Sequence, residues 1–234
     1  MNNSVYIYHH LGLGDHIIAN GMVRTIAKKY NRVFLFCKPR NIKNVAIMYK
    51  DLLNLKLIGF EMNQIEQFMS INPNEKYIIA GHGEFWKIFN SPSNKLKIDE
   101  IFYNLAGVPL KNKWDEFYIP RNLDKEKDVF HKLGLKEGDK YAFVHDDSSR
   151  RISINVPNIK IIRPENKEYS IFDFIYTIEK AEEIHCINSS FFCMIDLMKI
   201  KKDKMYLHEY VRGDLGHTKE NATPILGMPW EIIK

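Results

Sequence analysis

Short runs rich in β-branched and aromatic residues alternate with helical patterns along almost the whole chain, and this alternation restricts the fold more than any other feature. Val5–His9 reads as a first strand. A helix from about Asp15 to Tyr30 follows, with Ile17, Ile18, Met22, Ile26 and Ala27 forming an apolar stripe. RVFLFC (32–37), LKLIGF (55–60) and KYIIAG (76–81) read as further strands, separated by helical patterns near 41–53 and 62–70. The segment 107–122, GVPLKNKWDEFYIPRN, is poor in helix signals, carries two prolines and reads as a crossing between two halves. Beyond it the pattern restarts: helices near 123–133, 171–181 and 189–200, and strands at 141–147, 158–164, 182–188 and 204–211. Strands separated by helices pair in parallel, so the chain is expected to be an α/β protein with two halves.

Composition narrows the function classes. The 234 residues are enough for one large or two small cored domains. With 34 Lys and Arg against 29 acidic residues the net charge is +5, and the basic residues are scattered. No basic tail or arginine-rich stripe calls for a nucleic-acid partner, although mild basicity would help attract an anionic substrate. No apolar run reaches 18 residues and the first residues lack a signal-peptide pattern, so neither a membrane span nor secretion is expected. Peripheral contact with a membrane stays open. Cys37, Cys186 and Cys193 form no C-x-x-C pair, and a reducing cytoplasm is the simplest setting for them. No cysteine–histidine cluster suggests a structural metal.

Two strand-to-helix junctions carry the candidate chemistry. In YHHLGLGDHIIANGMVR (8–24), Gly12 and Gly14 sit between the first strand and the first helix. The dinucleotide fingerprint needs a third glycine where this chain has Ile17, and an acidic strand end where it has Cys37-Lys38-Pro39. An oxidoreductase is therefore disfavoured, and no Gly-Lys-Ser/Thr follows to make a Walker loop. The glycines are expected to allow positive φ and close approach of a ligand at the carboxyl edge of the sheet. Asp15 is either an N-cap or an ionised carboxylate facing a ligand. His10 and His16 compete with it as bases, because imidazole titrates nearer neutrality. His9 and His10 should point to opposite faces, so only one can face a cleft. In AGHGEFW (80–86), His82 lies at the same edge as the first turn and Trp86 could stack on a sugar; the plainer reading makes His82 a loop residue and Trp86 core.

In the second half, Asn188, Ser189 and Ser190 open an apolar helix in EEIHCINSSFFCMIDLMKI (182–200). They can cap that helix, or donate with its amides to a diphosphate. Phe191, Phe192, Ile195 and Leu197 read as core. The loop after the 141–147 strand holds Asp146, Asp147, Ser148, Ser149, Arg150 and Arg151. Its arginines suit phosphate oxygens, its paired aspartates could hold a divalent metal carrying a diphosphate, and a solvated loop is the plain alternative.

HHLGLGDHIIANGMVR, the serine- and arginine-bearing loop at 145–151, and IHCINSSFFCMIDLM together resemble GT-B type glycosyltransferases, and in particular the ADP-heptose:lipopolysaccharide heptosyltransferase family. The likeness concerns about fifty residues, in the order and spacing that family would give. It implies two Rossmann-like domains facing across a cleft: residues 1–115 on the acceptor side and 116–234 on the nucleotide-sugar side. It further implies transfer of a hexose or heptose from a nucleotide-diphosphate donor to a hydroxyl of a glycan or lipid-linked glycan, in surface glycan synthesis. The reaction would be inverting and metal-independent, with the nucleotide-sugar as substrate and no cofactor.

By that likeness Asp15 is the base. Gly14, Ser148, Arg150 or Arg151, and Asn188-Ser189-Ser190 face the donor, while His10 and His82 lie on the acceptor side. Asn188 stands where the family usually has Asp and Cys193 where it often has His, and 234 residues is short for such an enzyme. The alternative is a non-catalytic nucleotide- or glycan-binding module on the same fold.

Overall fold

The computed structural model describes residues 3–147, 152–166, 168–209 and 220–234. It divides into two compact units: Met1–Pro120 with Glu220–Ile225, and Arg121–Lys219 with Leu226–Lys234. Each has a wholly parallel sheet.

In the first unit, strands β1 (Ser4–Tyr8), β2 (Arg32–Cys37), β3 (Leu55–Gly59) and β4 (Tyr77–Ile79) lie in the order β3-β2-β1-β4. Register pairs Val5 with Val33 and Ile7 with Leu35, and on the other edge Tyr8 with Ile79. Alternation along β1 sends Val5 and Ile7 to one face and Tyr6 and Tyr8 to the other, as a two-residue period requires. Val5, Ile7, Val33 and Leu35 are fully buried. Full burial of a side chain such as Ile7 stabilises by roughly 1.5–3 kcal/mol. On the opposite face Tyr6 stacks on Phe34 at 4.7 Å between centroids, beside Phe36 and Phe68. Both faces are covered, the usual condition of a parallel sheet.

The helix expected over 15–30 is instead two: α1 (Leu13–Ile18) and α2 (Asn20–Ala27), separated at Ala19. The Tyr103 hydroxyl is the physical reason. Its Oη donates to the Ile18 carbonyl at 3.1 Å and accepts from the Met22 amide at 3.0 Å. Those are the two groups an unbroken helix would pair with each other, and a side chain inserted into the ladder bends it. Tyr103 comes from α6 (Ile98–Leu105), a helix that the sequence reading did not assign.

α2 is buried along its whole length, because the crossing segment packs against it. There α7 (Asn112–Asp115) comes so close that a Cβ on Gly21 would lie 2.0 Å from the Asn112 carbonyl oxygen. Arg24, from the same helix, holds Asp51 with both Nη atoms at 2.8 Å and donates to the Met48 and Tyr118 carbonyls. α3 (Ile42–Met48), α4 (Met62–Ile71) and α5 (Glu84–Asn90) complete this unit.

A buried ion pair fastens the returning piece of chain. Lys113 Nζ lies 2.7 Å from Asp99 and 2.6 Å from the Ile225 carbonyl, and the Ile225 amide donates to the same aspartate.

The second unit contains α8 (Leu123–Lys132), β5 (Tyr141–His145), β6 (Lys160–Ile162), α9 (Ile175–Lys180), β7 (Glu183–Ile187), α10 (Ser190–Leu197), β8 (Lys204–His208) and β9 (Glu231–Ile233). The sheet order is β6-β5-β7-β8-β9. Phe191, Phe192, Ile195 and Leu197 are buried, in keeping with their expected place in the core. β9 was not expected from sequence. It is led into place by Asp196, whose carboxylate accepts from the Gly227 and Met228 amides and from the Trp230 indole at 3.0 Å or less. Among the described residues no helix is long and apolar enough to cross a membrane.

Replacing Tyr103 by Phe keeps the ring and removes the hydroxyl. The Ile18 carbonyl and Met22 amide then lose their partner, and the expected cost is about 1–3 kcal/mol, read as a lowered urea midpoint with unchanged slope.

Candidate functional site

In sheet order β3-β2-β1-β4 the chain runs outward from β1 in one direction and returns to pair on its other side, so the order reverses beside β1. Open parallel sheets take ligands beyond the carboxyl ends of their strands at such a reversal. A cavity of about 420 Å³ opens at that edge. Its walls include His10, Gly12, Asp15, Lys38, Glu61 and His82. Each of the four strands thus supplies a polar side chain within three residues of its end: β1 His10, β2 Lys38, β3 Glu61 and β4 His82.

Close packing sets these positions. A Cβ on Gly81 would lie 2.1 Å from the His10 amide nitrogen, so only glycine lets the end of β4 lie against the end of β1. His82 then stacks on Tyr8 at 4.2 Å and meets the His10 ring edge-on at 5.1 Å. Gly12 has φ −70° and caps α1, while Gly14 is inside the helix; neither adopts the positive φ anticipated for the turn. What Gly12 provides is space. A Cβ there would sit 2.5 Å from Asp15 Oδ2. Asp15 is therefore not the N-cap. It lies in the first turn of α1, where a carboxylate is favoured by the exposed amides.

The histidines separate into two groups. His10 and His82 line the cavity, whereas His9 and His16 are fully buried, edge-on to each other at 4.4 Å, and do not. The expectation that one of His9 and His10 faces a cleft is met by His10. Burial first, then the neighbouring His82 and His9, pushes the His10 imidazole down to about 3. Burial lowers His9 to about 4, and His16 well below its ordinary value. Neither His10 nor His16 is thus the near-neutral base expected of a free imidazole.

Trp86 is not a core residue. It is 40% exposed and stacks on His10 at 5.0 Å, because Phe85 takes the inward position on α5. Lys38 and Glu61 were not singled out from the sequence, although the strand-end rule that marks His82 would have found them.

In the second unit the strand order reverses between β5 and β7. Topology therefore brings together the segment after β5 and the segment after β7, where Asn188, Ser189 and Ser190 are half-buried. Ser189 is the N-cap of α10, and its Oγ accepts from the Phe192 amide at 3.4 Å. Asp146, after β5, accepts from the Ile154 amide and from Arg163. Ser148, Arg150 and Arg151 lie outside the described residues. Cys193 is buried, as are the other two cysteines, and all three are free thiols. Among the described residues no group of three His, Cys, Asp or Glu side chains is arranged to hold a metal ion.

No protein-family model matches the sequence, and no curated protein is significantly similar to it. Solved structures are similar in fold. A glycosyl transferase of family 9 from Veillonella parvula DSM 2008 superimposes with TM-score 0.53 at 11% identity, over 89% of this chain and 81% of that one. The E. coli ADP-heptose LPS heptosyltransferase II gives 0.52 at 8% identity, over 98% and 90%. The iron-containing dodecameric glycosyltransferase TibC of enterotoxigenic E. coli H10407 gives 0.51 at 8% identity, over 88% of this chain and 58% of that one. The α/β fold of parallel sheets expected from sequence, GT-B-like, is the one observed.

The buried histidines predict acid sensitivity of a definite sign. Their lowered values mean the unfolded chain takes up the protons first. Stability is then complete above about pH 6.5 and falls as pH drops toward about 4 for His9 and about 3 for His10. Each histidine contributes up to about 1.4 kcal/mol per pH unit. The urea midpoint should decline between pH 7 and 5, where carboxylates of ordinary acidity are still ionised, and His16→Met should make that decline shallower.

Proposed function

We propose that this protein is a glycosyltransferase that moves a sugar from a nucleotide-diphosphate donor to a hydroxyl acceptor in glycan assembly, with inversion and without a metal. The observation that carries the reading is the Asp15 cavity at the strand-order reversal, in a fold shared with glycosyltransferases over most of this chain. Asp15 takes the acceptor's hydroxyl proton. The oxygen attacks the anomeric carbon from the side opposite the diphosphate. The bond to the diphosphate oxygen breaks, and its electron pair leaves with that oxygen.

Charge on the departing diphosphate must be met by donors. The second unit supplies candidates at its own reversal, Asn188, the Ser190 hydroxyl and the first amides of α10, and Ser148, Arg150 and Arg151, which follow β5 in the sequence, are assigned to the same role. Gly14 belongs to the same reading as a small residue beside Asp15. His10 and His82, neutral in this setting, are assigned to the acceptor. Burial as the leading cause lowers both imidazoles, so they orient hydroxyls rather than carry charge.

A panel of ADP, GDP, UDP, CMP and their sugars tests the proposal by thermal shift of the full chain. A cognate nucleotide at a hundred times its Kd should stabilise by about 2.7 kcal/mol. Asp15→Asn should keep that shift and lose about 10²- to 10⁴-fold in transfer rate. No shift with any member overturns the donor assignment. A shift with neither transfer nor slow hydrolysis by the unaltered protein makes it a binding module, and full transfer by Asp15→Asn removes Asp15 as the base.

A further inference from the structure

The cavity at the end of the first sheet carries its own record of what it can hold. Asp15 and Glu61 bring two carboxylates, Lys38 brings one ammonium, and the remaining polar groups used here, His10, His82 and Asn63, are uncharged. The formal balance is one excess negative charge inside a recess of about 420 Å³, which is the size of one or two sugar rings. His10 and His82 each also have a buried Nε2 with no hydrogen-bond partner.

A carboxylate only accepts hydrogen bonds, and so does a phosphate ester or a uronate. An anionic ligand would face two carboxylates it cannot pair with, for one lysine it can. A hydroxyl both donates and accepts. Vicinal hydroxyls can therefore donate to Asp15 and Glu61 while accepting from Lys38 and the Asn63 amide. Like-charge juxtaposition also works as rejection: an anion beside the half-buried Asp15 and the exposed Glu61 meets repulsion in addition to a missing contact.

We propose that this cavity selects an uncharged, polyhydroxylated sugar and rejects phosphorylated or carboxylated ones, with Glu61 as the residue that sets the discrimination. The inference rests on reading the Asp15 cavity as the acceptor site. Lys38 fits the same scheme as a donor to ring or hydroxyl oxygens, placed where it neutralises only one of the two carboxylates.

The test is binding to the full chain without donor, measured by ligand-observed NMR titration with a methyl hexopyranoside, the matching hexose 6-phosphate and the hexuronate. The neutral sugar should bind, and the two anions about tenfold or more weakly. Glu61→Gln removes one charge and should narrow that gap toward unity. Lys38→Met removes the only cation among the described lining residues and should widen it. Thermal melts of both variants establish that they fold.

Three results would overturn the inference: equal or tighter binding of the phosphate, a gap that Glu61→Gln leaves unchanged, or no saturable binding of the neutral sugar. Hydrolysis of nucleotide-sugars, assayed separately, reports on the transferase reading. That reading can fail while the sugar preference stands, and the preference can fail while hydrolysis persists.

Discussion

Nothing larger than a hydrogen atom fits on the Cα of residue 81, and the candidate site follows from that restriction. A side chain there would strike the His9–His10 backbone at 2.1 to 2.8 Å, so β4 could not close on β1 as far as its carboxyl end. The close approach places His82 over Tyr8 and against His10, and it makes the strand-order reversal a walled recess rather than an open step. Gly12 at α1 leaves room for the Asp15 carboxylate, a milder constraint because the neighbouring atom there belongs to a movable side chain. Neither glycine is used for an unusual backbone angle. Both are used because the space is occupied.

Irregular segments in both units are held by buried charge rather than by apolar contact alone. Arg24 gathers Asp51 and two backbone carbonyls beneath the rings of Tyr49 and Tyr118. Asp99 and Lys113 enclose the backbone of Ile225, and Asp196 takes the amides of residues 227 and 228. Each charge is hydrogen-bonded to an opposite charge or to backbone groups, which favours tolerance of buried ions. Removing one member of the Asp99–Lys113 pair would leave an uncompensated charge in the interior, a far larger penalty than the pair's own net contribution.

How much of this was readable in the sequence depends on how local each cause is. Strands alternating with amphipathic stretches are local, and the parallel α/β class follows from them. Phe191, Phe192, Ile195 and Leu197, apolar residues of an apolar helix, are buried as expected. The break at Ala19 is not local, because a hydroxyl 85 residues from Ile18 makes it. β9 owes its place to Asp196, which its own three residues do not reveal. The lowered basicity of His10 and His16 comes from what surrounds them after folding, which residue type alone does not reveal. Trp86 was read as core because it is large and aromatic, whereas its helix turns Phe85 inward instead. Lys38 and Glu61 were within reach: each lies one residue past a strand expected from sequence, as His82 does.

The route of the last fifteen residues has a practical meaning for anyone wishing to study the halves apart. Glu220–Ile225 belong to the first unit and Leu226–Lys234 to the second, whose sheet they finish with β9. A gene fragment cut at Pro120 would leave Asp99 and Lys113 with no Ile225 to enclose, and one cut at Ile225 would strip Asp196 of its amides and β8 of its neighbour. The C-terminal segment contributes residues to both units, so severing the polypeptide at its apparent midpoint cannot yield two intact pieces.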